Sequence, residues 1–230
     1  VFYQLGVRMM HLTYNRRNPI GDGCGEPADA GLSEFGRETV KEMNRVGVLI
    51  DIAHSGRQTG LDAAAASERP IVISHSCAAS LSNHIRCKDD ETISAVIATG
   101  GTIGITNVPY FLGGKGDIRT MLDHIDYVAK TFGTDHVTIG TDSSYSSQLT
   151  AAEAAKVPKT RSIRERWEAL WPEGSRAHST EWRQEHQIQS LMWTNWPMIT
   201  VGLVQRGYSD TDIRKIIGKN ILRVSRDVLS

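Results

Sequence analysis

Two short apolar runs, each ending in a histidine, constrain the fold of this chain more than any other feature. The first spans Val48–His54 and the second Ile71–His75, and both are rich in β-branched residues. Runs of this kind, bounded by glycine, proline or serine, are typical of buried strands in a parallel sheet. Each strand would deliver its histidine to the carboxyl edge of the sheet, so the pair is predicted to form half of a metal site.

The rest of the first 140 residues repeats an alternation of strands and helices. Five strands are predicted, at 7–12, 48–54, 71–75, 102–106 and 136–140. Helices are predicted between them, with Ser33 as an N-cap of the first helix and Gly47 at its end. This alternation predicts a parallel α/β sheet with right-handed crossovers and an active edge at the carboxyl ends of the strands.

Length and charge narrow the class of protein. A chain of 230 residues fits one domain of the α/β barrel type. The 26 Lys and Arg residues balance 26 Asp and Glu residues, and a net charge of zero provides no basic surface for nucleic acid. No apolar run approaches the roughly 18 residues of a membrane span. Three cysteines without a CxxC pair indicate neither a disulfide framework nor a structural zinc knot.

Residues 143–190 break the alternation. The segment is polar, contains Trp167, Trp171 and Trp182, and shows no strand pattern. It is predicted to be an inserted segment with one or more helices inside a single domain over residues 1–230. From Leu191 to Leu229 the pattern is helical again, while nothing in the sequence indicates the cellular compartment.

His54 and His75 are the best candidates for metal ligands. A lone histidine at the end of an apolar run is more often a satisfied core residue, but two on successive strands favour a shared site. Neighbouring parallel strands lie about 4.8 Å apart, so two imidazoles can reach one zinc ion at about 2.0–2.1 Å each. A catalytic zinc needs at least three protein ligands, so these two would not complete the site.

Four other residues are predicted to face the same edge. Asp142 follows the last strand and could move a proton or fix a substrate ammonium, or act only as a loop cap. Arg86 suits a substrate carboxylate if it turns inward, although a surface position is the simpler interpretation. Tyr14 and Asn15 follow the first strand and could donate hydrogen bonds to a carbonyl oxygen or pack against the loop.

The remaining histidines and Asp51 are weaker candidates. Asp51 is interpreted as a residue that supports a ligand rather than as a ligand itself. The other histidines are interpreted as structural or surface residues: His11, His84, His124, His136, His178 and His186.

The order of motifs resembles the membrane (renal) dipeptidase family of zinc peptidases. The resemblance extends from about Gly6 to Asn220 and is specific only when the motifs are taken together. They are Gly6–Met10, Leu12–Asn15, Gly31–Gly36, Gly47–Ser55, Ile73–Ser76 followed by Arg86, Gly140–Asp142, Gly207–Ser209 and Gly218–Val224.

The resemblance implies a TIM-like (β/α)8 barrel, of which this chain would supply about the last five β/α units. It also implies two zinc ions bridged by a glutamate and a hydroxide that attacks the peptide bond of a dipeptide. His54 and His75 would be the two histidine ligands of the second zinc ion. Arg86 would bind the substrate carboxylate, and Asp142 would lie near the free amine and the scissile bond as a proton shuttle.

Two departures from the family pattern bear on activity. Tyr14 stands where the family usually has a histidine that contacts the substrate carbonyl oxygen, and a phenol can still donate one hydrogen bond. The family's His-x-Asp pair and bridging glutamate belong to strands upstream of the first strand present here. A missing N-terminal segment or a partner chain is therefore expected to complete the barrel, because five strands cannot close it. A homodimer is expected by analogy.

Three functions are compatible with these residues. The first is zinc-dependent hydrolysis of dipeptides. The second is a catalytically inactive or repurposed binding or maturation protein that keeps the barrel. The third is a related amidohydrolase that acts on a ring amide or an ester with the same metal frame. The retained His54, His75, Arg86 and Asp142 favour the first.

Overall fold

Five parallel strands form the centre of the molecule. A computed structural model describes residues 1–143, 149–156, 171, 175 and 179–229. The strands are β1 Met9–His11, β2 Leu49–Asp51, β3 Val72–Ser76, β4 Thr102–Ile105 and β5 Val137–Ile139. They pair in the order β1-β2-β3-β4-β5, all parallel, which confirms the predicted α/β sheet.

Helices connect the strands at nearly the predicted positions. They are α1 Glu34–Val46, α2 Arg57–Ala66, α3 Asp90–Ala98, α4 Pro109–Leu112 and α5 Ile118–Phe132. The predicted ends of α1 are confirmed, because the Ser33 hydroxyl accepts a hydrogen bond from the Gly36 amide and Gly47 takes the left-handed conformation at φ 74°.

After β5, the regular secondary structure of the described residues is helical. Its helices are α6 Thr150–Lys156, α7 Glu185–Ser190, α8 Trp196–Gln205, α9 Asp210–Arg214 and α10 Asn220–Leu229. The predicted insertion at 143–190 includes α6, α7 and a short 3-10 turn at Thr180–Trp182, and its remainder lies mostly outside the described residues. No helix among the described residues is both long enough and apolar enough to cross a membrane.

The two faces of the sheet have different partners. One face packs against the helices and forms the main core, to which it contributes Ile50, Ile52, Ile71, Ile73, Ile103, Ile105 and Val137. On the other face, Leu49 and Val72 form a small separate cluster with Val224 and Val228 of α10. We call these the helix-side face and the inner face.

Helix α10 covers the amino edge of the sheet. The Asn220 amide donates to the Val137 carbonyl oxygen at 2.8 Å, and the Arg223 guanidinium donates to the Gly100 carbonyl oxygen at 2.7 Å. These contacts join α10 to the backbone at the amino edge of β4 and β5. The polar residues that were predicted to form the site lie at the opposite, carboxyl edge.

Strand β3 is irregular, and two glycines accommodate the irregularity. Its pairing with β4 shifts register between Ile73 and Ser76. The Ser74 carbonyl oxygen lies so close to Gly104 and Gly140 that a Cβ atom at either position would overlap it. An irregularity of this kind redirects the side chains that follow it.

Candidate metal centre

Three histidines converge at the carboxyl edge of β1, β2 and β3. His11, His54 and His75 each offer a ligand nitrogen, and these nitrogens lie within 4.8 Å of one another. The closest pair is His54 Nε2 and His75 Nε2, at 3.1 Å. Within the part of the chain that the structure describes, this is the one group of three or more His, Cys, Asp or Glu residues arranged closely enough for a metal ion.

His54 lies in the turn after β2, and Asn15 and Tyr14 fix the position of its ring. Its Nδ1 donates a hydrogen bond to Asn15 Oδ1 at 2.7 Å, and Tyr14 stacks on its ring with centroids 4.0 Å apart. Only 3% of His54 and none of Asn15 is exposed. With Nδ1 protonated by this contact, the lone pair of the imidazole is on Nε2.

His75 has the same arrangement through a serine. Its Nδ1 lies 2.7 Å from Ser74 Oγ, and the Ser74 hydroxyl donates to the Asp51 carboxylate. Because that hydroxyl gives its only hydrogen to Asp51, Ser74 Oγ accepts from Nδ1 of His75. The lone pair of His75 is therefore also on Nε2.

His11 is the member of the cluster that the sequence analysis missed. It is the last residue of β1, and its Nδ1 lies 3.1 Å from Asp51 Oδ2. The interpretation of His11 as a structural residue rested on a predicted strand that continued beyond it. Because the strand ends at His11, this residue lies at the same edge as His54 and His75. A correct prediction of where β1 ends would have identified it.

The protonation states of His54 and His75 suit metal binding at neutral pH. Burial lowers the pKa of His54 strongly, and the nearby Arg86 charge lowers it further. Burial likewise lowers the pKa of His75 to about 4, although the Asp142 carboxylate opposes the shift. Both rings are thus neutral near pH 7, and two lone pairs meet at 3.1 Å without a proton between them. This arrangement fits a cation such as zinc, which binds neutral imidazole nitrogen.

Arg86 lies beneath this edge with unused hydrogen-bonding capacity. Only 1% of Arg86 is exposed. Its Nη2 donates to the His75 carbonyl oxygen at 3.3 Å, and its Cζ lies 5.2 Å from the centroid of the Phe111 ring. Its Nε is buried without a hydrogen-bond partner. No carboxylate among the described residues forms an ion pair with it, so a bound carboxylate would satisfy a donor that the fold leaves open.

Asp142 follows β5 and faces His75. Its Oδ1 lies 3.8 Å from His75 Nε2, and 39% of its side chain is exposed. Among the described residues it is the one non-glycine residue with positive φ, at 56°. Aspartate tolerates this left-handed conformation better than most residues, and such conformations concentrate at functional sites.

The structure brings the predicted site residues together, and it places Asn15 against His54. Tyr14 lies against His54 with 37% of its surface exposed, which leaves it accessible from the site. Asn15 is fully buried and contacts His54, so a direct contact of Asn15 with substrate stays a prediction. His124 and His136 lie outside the cluster: His124 bonds to backbone atoms through both ring nitrogens, and His136 bonds to the Gly101 carbonyl oxygen.

Comparison with known proteins gives the same assignment for fold and family. The sequence profile described as Membrane dipeptidase (Peptidase family M19) matches residues 1–162. A crystal structure of an amidohydrolase from Pseudomonas aeruginosa is 30% identical, with a TM-score of 0.75 over 99% of this chain and 66% of its own. A metallo peptidase from Rhodobacter sphaeroides, liganded with a phosphinate mimic of the dipeptide L-Ala-D-Ala, is 23% identical with a TM-score of 0.73, over 99% of this chain and 57% of its own.

Two fungal relatives show how much of such a protein this chain represents. Dipeptidase verJ of Clonostachys rogersoniana is 30% identical over 98% of this chain, which covers 50% of the relative. Dipeptidase tcpJ of Claviceps purpurea (strain 20.1) is 27% identical over 99% of this chain and 46% of the relative. The chain thus spans about half the length of these relatives. Its fold is TIM-like α/β, and it belongs to the membrane dipeptidase family, peptidase family M19.

Proposed function

We propose that this chain supplies part of the zinc site and the substrate-binding groups of a dipeptidase. The observation that carries the proposal is the meeting of two unprotonated Nε2 atoms, of His54 and His75, at 3.1 Å. Membership of a dipeptidase family supports a peptide bond as the target. When bound, zinc would supply Lewis-acid polarisation of the scissile carbonyl and an activated nucleophile at neutral pH.

His54 and His75 would hold the metal, and their neighbours would hold them. The side-chain oxygens of Asn15 and Ser74 accept hydrogen bonds from the two Nδ1 atoms, which keeps both Nε2 lone pairs directed to the same space. Zinc requires further ligands, and those that this chain does not supply, including those of a second ion, would come from protein outside residues 1–230. The completing β/α units would be an N-terminal segment or a partner chain placed against β1, which pairs on one side only among the described strands.

Arg86 would bind the carboxylate of a dipeptide. Its buried, unpaired Nε and the adjacent Nη2 form a fork suited to two carboxylate oxygens. Since Arg86 also contacts the backbone of His75, the substrate's charged end would be anchored at a fixed distance from the metal ligands. This anchoring would orient the scissile bond before reaction.

Asp142 and Tyr14 would act on the reacting groups. Asp142 would receive a proton from the nucleophile and pass it to the leaving amine, or fix the substrate ammonium, since its carboxylate faces His75 across 3.8 Å. The Tyr14 hydroxyl would donate one hydrogen bond to the substrate carbonyl oxygen in the position where the family usually has a histidine.

Zinc analysis combined with a dipeptide panel tests this proposal on the full-length protein. The panel contains L,L and L,D dipeptides, and the variants are His54→Ala and, as a matched control, His136→Ala. His136 bonds to the Gly101 carbonyl oxygen at the opposite edge of the sheet. We expect His54→Ala to lose zinc and turnover together, whereas His136→Ala keeps both. Unchanged zinc content and turnover in His54→Ala would refute the proposal.

The same assay separates the two alternatives. Stoichiometric zinc without hydrolysis of any dipeptide would identify an inactive or repurposed binding protein. Hydrolysis of ring amides or esters, with dipeptides left intact, would identify a related amidohydrolase. In Arg86→Met, we expect zinc content to persist and KM to rise, because the variant removes the carboxylate anchor and one hydrogen bond to the His75 backbone but leaves the imidazoles of His54 and His75 in place.

A further inference from the structure

His11 brings a third imidazole to the metal centre. Its ring lies edge to face against His54 and His75, with centroids 5.2 and 5.5 Å apart. Its Nδ1 contacts the Asp51 carboxylate at 3.1 Å, so the nitrogen that remains for the shared space is Nε2. All three histidines therefore use Nδ1 for support and keep Nε2 for the space between them.

A structural histidine in the same protein looks different. His124 accepts at Nδ1 from the Ala78 amide and donates from Nε2 to the Leu112 carbonyl oxygen, so the protein satisfies both of its nitrogens. Among the described residues, the Asp51 carboxylate is the one group that pairs with His11, and it lies beside Nδ1. Its side chain is also 38% exposed, and the ring thus forms the open side of the cluster.

Asp51 is the common support of two of the three rings. Its Oδ2 lies 3.1 Å from Nδ1 of His11 and accepts from the Ser74 hydroxyl, which in turn accepts from His75. Its Oδ1 accepts from the backbone amides of Ala53 and Ser74, each at 2.9 Å. With 1% of its surface exposed, three hydrogen bonds accepted and the His11 ring beside it, this carboxylate has a fixed position.

We infer that His11 is a third ligand of the ion bound by His54 and His75, and that Asp51 positions both His11 and His75. The inference rests on the proposed function and adds to it. A carboxylate on the far nitrogen of a metal-bound histidine sets the tautomer and makes the ring a stronger donor. Ligands at about 2.0–2.1 Å from zinc lie about 3.4 Å apart in a tetrahedral site. The Nε2 atoms of His54 and His75 are already at 3.1 Å, and since the ligand nitrogens of all three histidines lie within 4.8 Å of one another, His11 is within reach of the same ion.

Cobalt substitution tests the ligand role without relying on turnover. The full-length protein is loaded with Co²⁺, whose visible absorption changes with the number of ligands, and zinc affinity is measured by competition with a chelator. The variants are His11→Ala, Asp51→Asn and Ser74→Ala, with His136→Ala as the control. We expect His11→Ala to change the cobalt spectrum and weaken zinc binding by more than about 100-fold, beyond the effect of removing an outer partner.

The positioning role predicts a smaller effect. Asp51→Asn and Ser74→Ala should each weaken zinc binding by about 10–100-fold. If Asp51→Asn does not fold, Ser74→Ala decides the matter, because it removes one hydroxyl and leaves the carboxylate in place. Zinc affinity in Ser74→Ala equal to that of the control would overturn the positioning role of Asp51.

The outcomes distinguish this inference from the proposed function. If His54→Ala loses the metal while His11→Ala keeps both the cobalt spectrum and the zinc affinity, the ligand role of His11 is refuted and the proposed function stands. A fall in kcat for His11→Ala with an intact metal site would likewise refute it, and would assign His11 to the substrate. If neither variant loses the metal, the proposed function fails as well.

Discussion

The helix-side and inner faces of the sheet use the same five strands for different purposes. On the helix-side face, isoleucines such as Ile73 and Ile103 pack with no exposed surface against the surrounding helices. On the inner face near the carboxyl edge, Asp51 is buried, accepts three hydrogen bonds and lies beside His11. Apolar packing tolerates neighbours of similar shape, whereas buried polar groups require particular partners at particular distances. The first face therefore stabilises the fold, and the second holds groups in place for chemistry.

The largest effect is expected where the two faces meet at β3. In Gly140→Ala, the new methyl group would overlap the Ser74 carbonyl oxygen, and a backbone oxygen cannot be moved by side-chain rotation. We expect a loss of more than about 4 kcal/mol in the free energy of unfolding, or failure to fold, measured by urea denaturation. Gly218→Ala is the control, because no heavy atom lies within 4 Å of its new Cβ. Equal stability of the two variants would show that β3 does not need this space.

A truncation on the helix-side face should lower stability and leave the site intact. Ile103→Ala removes a fully buried side chain from the main core and should cost about 3 kcal/mol. Ile217→Ala, whose parent residue is 38% exposed, should cost less than about 1 kcal/mol. Zinc content should stay at the level of the unaltered protein in both variants. Loss of zinc from folded Ile103→Ala would mean that the two faces are not independent.

The smallest effect concerns the pH dependence of stability, to which a histidine after β3 contributes and the isoleucines of the helix-side face do not. Burial, assisted by the Arg86 charge, lowers the pKa of His84 to about 4. The unfolded chain, in which this pKa is near 6.5, takes up the proton first as the pH falls, so stability declines between pH 6.5 and 4. His84→Gln should reduce this decline by at most about 3 kcal/mol. Ile103→Ala should lower stability by the same amount at each pH, and an unchanged pH profile in His84→Gln would contradict the assignment.

Much of this architecture was predictable because it depends on local sequence. The apolar runs, the Ser33 cap and the terminal Gly47 act within a few residues of the chain, and the strands and helices were found close to the predicted positions. That His54 and His75 lie at the same edge of the sheet was also predictable, since neighbouring parallel strands deliver their carboxyl ends to one edge. The sequence by itself therefore determined the sheet, its order of elements and the general location of the site.

Tertiary structure decided which side chains face the site. Simple alternation would place His75 on the helix-side face with Ile73, because the two are separated by two positions in β3. The register shift after Ile73, with space provided by Gly104 and Gly140 on other segments, turns His75 toward His54 instead. His11 joins the cluster because β1 ends beside Asp51, and Asn15 lies behind His54 because the loop after β1 folds back on it. These placements depend on contacts between residues distant in sequence, which local patterns do not encode.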